Sequence, residues 1–203
     1  MTRVRSAGEG RILLIGDLHL RCQHTAALRG FSNTKEHDRR LRELWQGVVS
    51  PRDSVIVLGN FAVVDRAGTA RRMAAQLPGR VSFLQGDRDP PGLGASLMEL
   101  EFSARGLVVL CHYPLEAWRR RRWRSFHIHS HLQTHKVRSG PRRANVYADA
   151  LGLRPMEIGE ILGACDPFLG RGIGNERPGG SEAVNMCSLD AIDRFRASPR
   201  SEG

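Results

Sequence analysis

Short apolar runs alternate with segments in which apolar residues recur every three or four positions. The runs at 11–15 and 54–58 have four apolar residues out of five and predict buried strands, and the run at 80–84 has three and predicts a third strand. Leucine, tryptophan and valine recur at helical spacing after Asn33, which predicts a helix with Asn33 as its N-cap and Glu36 as its capping-box partner. Residues 67–77 predict a second helix. Strands that alternate with helices indicate a layered α/β domain.

The second half of the chain predicts further strands at 97–102, 107–111 and 144–151, and a short last helix within 154–162. From 126 to 131 the residues alternate with period two, so on a strand His127, His129 and His131 would share one face. Beyond Gly163 the chain is rich in glycine, proline, serine and charge. We therefore predict one domain over residues 1–165 and a partly ordered tail over 166–203.

Length and composition favour a single well-buried domain, with 203 residues and 40% hydrophobic content. No apolar run is long enough to cross a bilayer, and the amino terminus lacks the apolar core of a signal peptide. We therefore expect a cytoplasmic protein without membrane contact. The four cysteines are scattered and form no Cys-x-x-Cys pair, so we expect all of them to be reduced thiols: Cys22, Cys111, Cys165 and Cys187.

The formal net charge of +10 comes almost entirely from arginine, since Lys35 and Lys136 are the only lysines. Such an excess is expected of a protein that binds polyanions, but it also arises from genome composition. The densest charge lies in the run that begins at Trp118 and ends at Arg124. Arginines with two tryptophans can bind phosphates and stack on bases, so this run predicts nucleotide or nucleic-acid binding, with a solvated loop as an equally weighted alternative.

Polar side chains suited to metal or phosphate follow four predicted strands. Loops at the carboxyl ends of strands are where open α/β sheets place their chemistry, so we expect these groups to converge. Two residues apart, a carboxylate and an imidazole can bind one ion, although such a pair alone is weak evidence. The groups are, in chain order, Asp17 with His19, Asn60, Asp87 with Arg88, and His112, followed by His131 and Gln133.

The order and spacing of these motifs resemble those of the calcineurin-like metallophosphoesterase superfamily, and residues 31–38, 110–115 and 145–149 resemble its small bacterial and phage branch. The resemblance covers residues 11–162. It implies a four-layer α/β/β/α sandwich that holds two divalent metal ions, with a metal-activated water that attacks a phosphorus. The implied ligands are Asp17, His19, Asn60, Asp87, His112, His131 and Gln133.

This sequence departs from the family pattern at the metal site itself. Asn60 stands where the family has a bridging aspartate, and Asp87 where it has asparagine. Gln133 stands where the family has a histidine, so the metal site formed by Asp17 and His19 lacks one imidazole ligand. The better site is then predicted at three residues that suffice for one Mn, Fe, Ni or Zn ion, namely Asp87, His112 and His131.

Arg88 replaces a family histidine that is associated with catalysis. Arginine is always protonated, so it cannot shuttle a proton but can bind a phosphate bidentately. We therefore expect a phosphomonoesterase or phosphodiesterase in which Arg88 and His112 are the catalytic residues. The alternative is a catalytically silent binding or regulatory module, because every departure falls on the site. His24 and His135 are predicted to be surface residues, with the alternative that His135 reaches into the site to compensate for Gln133. His127 and His129 are predicted to be structural or to support the ligands. The oligomeric state stays open.

Overall fold

The computed structural model describes residues 10–102 and 106–166. Nine strands and four α-helices lie within these ranges, and two short 3-10 turns lie at Arg121–Trp123 and Ala148–Leu151. The helices are α1 (Gln23–Leu28), α2 (Thr34–Gln46), α3 (Ala67–Ala74) and α4 (Ile158–Cys165). The strands are β1 (Ile12–Ile15), β2 (Ser54–Leu58), β3 (Arg80–Leu84), β4 (Leu97–Phe102), β5 (Gly106–Cys111), β6 (Phe126–His129), β7 (Arg138–Gly140), β8 (Arg143–Asn145) and β9 (Met156–Glu157).

The strands form two mixed sheets. The first has the order β3-β2-β1-β9, in which only β9 runs antiparallel to its neighbour. The second has the order β4-β5-β6-β8-β7, with parallel β5, β6 and β8 flanked by two antiparallel edge strands. Parallel neighbours carry their carboxyl ends to one edge, so residues that follow β1, β2 and β3 come together.

One hydrophobic core joins both sheets. It contains Leu14 of β1, Ile56 of β2, Leu110 of β5 and Ile128 of β6, each at most 2% exposed. Because β1, β2 and β5 are buried along almost their whole length, they are continuous apolar runs rather than alternating ones. Trp45 attaches α2 to this core, and its indole Nε1 donates to the carbonyl of Pro78.

The sequence predictions hold for most elements, with corrections where main-chain turns intervene. The segment 144–151, predicted as one strand, is wrong as such: β8 ends at Asn145 and a 3-10 turn begins at Ala148. Helix α3 ends at Ala74, three residues before the predicted Leu77. Asn33 caps α2 as predicted, but Glu36 accepts from Ser32 and not from the cap residue itself.

Three cysteines within the described residues, Cys22, Cys111 and Cys165, are free thiols, as predicted. The fourth, Cys187, lies outside these residues, as does the predicted tail except for Asp166. No helix within residues 10–102 and 106–166 has the length and apolar character that a bilayer crossing requires.

A buried carboxylate fixes the start of β1. Asp53 is 2% exposed and accepts from the backbone N–H of Arg11, from its guanidinium, and from the backbone N–H of Ser50. Burial acts to raise the pKa of Asp53, but these hydrogen bonds outweigh it and lower the pKa to about 2 from 3.8. The folded state therefore favours the ionised carboxylate. The resulting contribution of Asp53 to the free energy of unfolding is present above pH 4.

Asp53→Asn is expected to lower the free energy of unfolding at pH 7 by about 2 kcal/mol. Because the wild-type carboxylate loses its advantage as the pH falls from about 4 towards about 2, the difference between the two proteins should shrink at low pH. Urea denaturation at pH 7 and pH 3 measures this difference in the free energy of unfolding. Glu116→Gln, at an exposed residue, serves as control. An equal difference at both pH values would contradict the assignment.

Candidate metal centre

The predicted site residues lie at the carboxyl ends of four strands and in the loop after β6. Four of them have left-handed backbone conformations, which residues other than glycine adopt at an energetic cost, namely Asp17, His19, Asn60 and His131. Two backbone hydrogen bonds join these turns. The N–H of Asp17 donates to the carbonyl of Gly59, and the N–H of His19 donates to the carbonyl of Asn60. The loops after β1 and β2 therefore form one unit.

Asp87, His112 and His131 converge at this edge. His112 Nε2 lies 3.1 Å from Asp87 Oδ1 and 3.2 Å from His131 Nδ1, and the latter two atoms are 3.8 Å apart. Ligand atoms about 2.0–2.1 Å from a tetrahedral ion are roughly 3.3–3.4 Å apart, so this triangle has the size that one ion requires. The three residues therefore could hold one transition-metal ion, with the His131–Asp87 edge somewhat wider than ideal.

A hydrogen bond to the backbone fixes the orientation of the His112 ring. This ring is fully buried, and its Nδ1 donates to the carbonyl of Leu58 over 2.8 Å. That bond directs the lone pair of Nε2 towards Asp87 and His131, as second partners do in histidine metal sites. Gly59 is required beside it, since a Cβ at that position would lie 2.4 Å from the His112 ring.

The amide of Asn60 lies at the middle of the site as a hydrogen-bond donor. Its Nδ2 donates to Asp17 Oδ1 and to Asp87 Oδ1, both over 2.9 Å. Its Oδ1 accepts from the backbone N–H of Arg88 over 3.0 Å. The opposite amide orientation would set a carbonyl oxygen against two carboxylates, so the surroundings select this one. In this orientation the NH2 group of Asn60 bridges the carboxylates of Asp17 and Asp87, and its amide oxygen is not directed at them.

Hydrogen bonds hold the carboxylate of Asp17 in place. Its Oδ2 accepts from the Ser130 hydroxyl and from the backbone N–H of His131, while His19 Nε2 lies 3.3 Å from Oδ1. Burial acts to raise the pKa of Asp17, but the contacts with His19, Ser130 and His131 prevail and lower it to about 2. Asp17 is thus a carboxylate whose charge is already balanced by hydrogen bonds.

Asp89 is a site residue that the sequence analysis did not single out. It is buried, and its carboxylate accepts from the backbone N–H groups of Asn60, Phe61 and Gly86. These bonds join the loop after β2 to the loop after β3, which places Asn60 beside Asp87. The second aspartate of the Gly86-Asp-Arg-Asp89 run was the available signal.

The buried side chain of Arg29 supports the loop after β1. Its side chain is 4% exposed and donates to the backbone carbonyls of Asp17 and Leu18. The same guanidinium pairs with Asp149 over 2.7 Å and contacts His37 Nε2 over 3.0 Å. A buried cation with this many partners holds its neighbours in one arrangement. Arg29 thereby supports the left-handed turn that presents Asp17 and His19.

A cleft of about 530 Å³ opens over these groups. Asp17, His19, Asn60, Asp87 and His131 line it, together with the exposed residues Arg88 and Gln133. His24 and His135 are exposed as predicted, but they also line this cleft. No hydrogen bond of the Gln133 side chain is found within residues 10–102 and 106–166, so Gln133 stays a predicted ligand by position alone.

The alternating histidines after Ser125 separate into two groups. His127 and His129 are fully buried with ring centroids 5.4 Å apart, and their Nδ1 atoms contact the carbonyls of Val109 and Ser130. His131 does not share their face, because β6 ends at His129 and the backbone of His131 is left-handed. Its ring instead packs on His112, with centroids 5.0 Å apart.

No protein-family model matches the chain. The chain is similar to the uncharacterized protein MJ1445 of Methanocaldococcus jannaschii, with 24% identity over 161 residues, 75% of this chain and 89% of that protein. It also resembles the crystal structure of a protein of unknown function from Aquifex aeolicus, AQ665, with a TM-score of 0.58 and 18% identity over 75% of this chain and 98% of that one. At this identity the structural likeness shows a shared α/β fold.

Proposed function

We propose that this protein is a metal-dependent phosphoesterase of the calcineurin-like type, with one well-formed site for a divalent ion at Asp87, His112 and His131. The observation that carries the proposal is the triangle of donor atoms, with edges of 3.1, 3.2 and 3.8 Å. Two imidazoles and one carboxylate suit Mn, Fe, Ni or Zn.

The fold and the thiols agree with this proposal. Two mixed sheets that share one core support a four-layer α/β/β/α sandwich, in which the sheets face each other and the helices lie outside. The motif order along strand ends supports the same superfamily. Free Cys22, Cys111 and Cys165 are suited to a reducing compartment, which supports a cytoplasmic location.

The chain's own residues have distinct tasks in this proposal. When bound, a divalent ion supplies the activated water and the positive charge that phosphoester hydrolysis requires at neutral pH. His112 presents Nε2 in a fixed direction, and the exposed Arg88 at the cleft would bind phosphoryl oxygens bidentately. Asp17, His19, Asn60 and Gln133 would form a second, poorer position, because the Asn60 amide already satisfies two carboxylates there.

Metal content and hydrolysis together test the proposal. The protein should bind one equivalent of Mn, Ni or Zn after reconstitution, and it should then hydrolyse an aryl phosphate or an aryl phosphodiester. Anomalous scattering from a metal-loaded crystal should give one strong peak among Asp87, His112 and His131. The absence of bound metal and of turnover with all three ions would refute it.

The second candidate is a catalytically silent module of the same fold. It is favoured by one observation, the Asn60 amide that donates to Asp17 and Asp87, since this replaces metal charge with hydrogen bonds. In that case the combined substitutions Asn60→Asp, Asp87→Asn, Arg88→His and Gln133→His should create hydrolysis where the parent has none. Activity in the parent would exclude this candidate.

A further inference from the structure

The arginine-rich loop between β5 and β6 is divided by the structure into an inner and an outer part. Trp118 belongs to the inner part, because its Nε1 donates to Ser125 Oγ and its ring lies 5.3 Å from that of buried His127. Arg119 and Arg120 pair with Glu99 and Glu101 of β4, at 2.5 and 3.1 Å. These side chains hold the loop on the second sheet.

The outer part is the 3-10 turn of Arg121, Arg122 and Trp123. Trp123 is 77% exposed, the highest value among the large hydrophobic side chains of the described residues. No ion pair of Arg121 or Arg122 is found within residues 10–102 and 106–166, and the Arg121 guanidinium lies 5.2 Å from the Trp118 ring centroid. The Trp123 indole is therefore presented to solvent on the same turn as two arginines, of which Arg121 stacks on Trp118.

The turn is held in shape by its flanks. Arg120 and Arg124 both have left-handed backbones, with φ of 56° and 65°, so the turn is bracketed by two conformations that residues other than glycine adopt at a cost. The Ser125 hydroxyl also donates to the carbonyl of Arg119 over 2.7 Å. The backbone that carries Arg121, Arg122 and Trp123 is thus ordered before any partner arrives, which lowers the entropic cost of binding.

We propose that Arg121, Arg122 and Trp123 form a binding surface for single-stranded nucleic acid. Trp123 would stack on an exposed base, and the two guanidinium groups would contact neighbouring phosphates. Charge complementarity supports this partner, because the chain carries a formal net charge of +10. A duplex offers phosphates but no unstacked base, so it would leave the indole unused. The surface is separate from the metal centre, so this inference does not depend on the proposed function.

Fluorescence anisotropy with a labelled twelve-nucleotide single strand tests this surface on the full chain. Binding should weaken as salt rises, and Trp123→Ala should weaken it by about tenfold or more through lost stacking. Trp123→Phe should recover part of that loss. Substitution of both Arg121 and Arg122 by alanine should reduce the slope of log affinity against log salt by about 0.7 to 1.4, as expected for one or two phosphate contacts.

Matched controls separate this surface from the general charge of the protein. Arg40→Ala removes one exposed arginine from α2 and should leave binding within about twofold. The proposal is overturned if the strand does not bind at low salt, or if Arg40→Ala weakens binding as much as Arg122→Ala. Equal affinity for a duplex of the same length, or for polyglutamate, would also overturn it.

Discussion

Asp87→Ala is expected to lower both the proposed metal binding and the proposed phosphoester hydrolysis by at least about 100-fold. Asp87 supplies the only carboxylate of the proposed ligand triangle, and two imidazoles alone leave the ion with too few protein ligands. The side chain is 39% exposed, so its removal should change the free energy of unfolding by no more than about 1 kcal/mol. Metal titration and turnover of an aryl phosphate measure the effect.

Asp65→Ala is the matched control, because Asp65 is an exposed aspartate in the loop before α3. This variant should retain wild-type metal binding and hydrolysis. If Asp87→Ala still binds one ion with unchanged affinity, the ligand assignment is wrong. If Asp87→Ala loses metal binding and hydrolysis only because it unfolds, its urea-unfolding transition at the same temperature will show this.

Asn60→Asp is expected to make the stability of the protein depend on divalent metal. The substitution removes both N–H donations and sets a third carboxylate beside Asp17 and Asp87, which should cost about 3 kcal/mol in metal-free buffer. A divalent ion neutralises this repulsion, so millimolar Mn should recover most of the loss. Urea denaturation with EDTA and with Mn measures the two free energies.

Asn60→Ala separates lost hydrogen bonds from added charge. It removes the same donors but introduces no carboxylate, so Mn should stabilise it no more than it stabilises the wild type. The interpretation fails if Asn60→Asp loses the same free energy with and without Mn, because the new carboxylate would then not bind an ion.

Apolar runs predicted the bounds of three strands, although only one of them, β2, is buried along its whole length. The bounds of β2, β3 and β4 agree with the structure because each strand is bordered by turn residues. Helix α1 was not predicted, since it has six residues and its N-cap is Cys22, a residue type outside the usual capping set. The turn after β8 was also missed, because it depends on Asn145 Oδ1 accepting from the N–H of Tyr147.

The convergence of Asp87, His112 and His131 could be expected from strand ends, because parallel strands carry such residues to one edge. The direction of the Asn60 amide could not, since it is selected by the backbone N–H of Arg88 and by two carboxylates from other loops. The role of Asp89 depends in the same way on main-chain groups of a neighbouring loop. Sequence spacing specifies which residues meet, whereas their hydrogen bonds follow from tertiary packing.

The pairing of Arg29 with Asp149 has a consequence for how this protein folds. The two residues are 120 positions apart, so the buried cation that supports the loop of Asp17 and His19 gains its carboxylate partner only when the far end of the domain has docked. During synthesis the amino-terminal half would emerge with a cationic side chain that still lacks its counter-ion. The first motif in the sequence therefore reaches its full set of contacts only after Ser130 and Asp149 have taken their places.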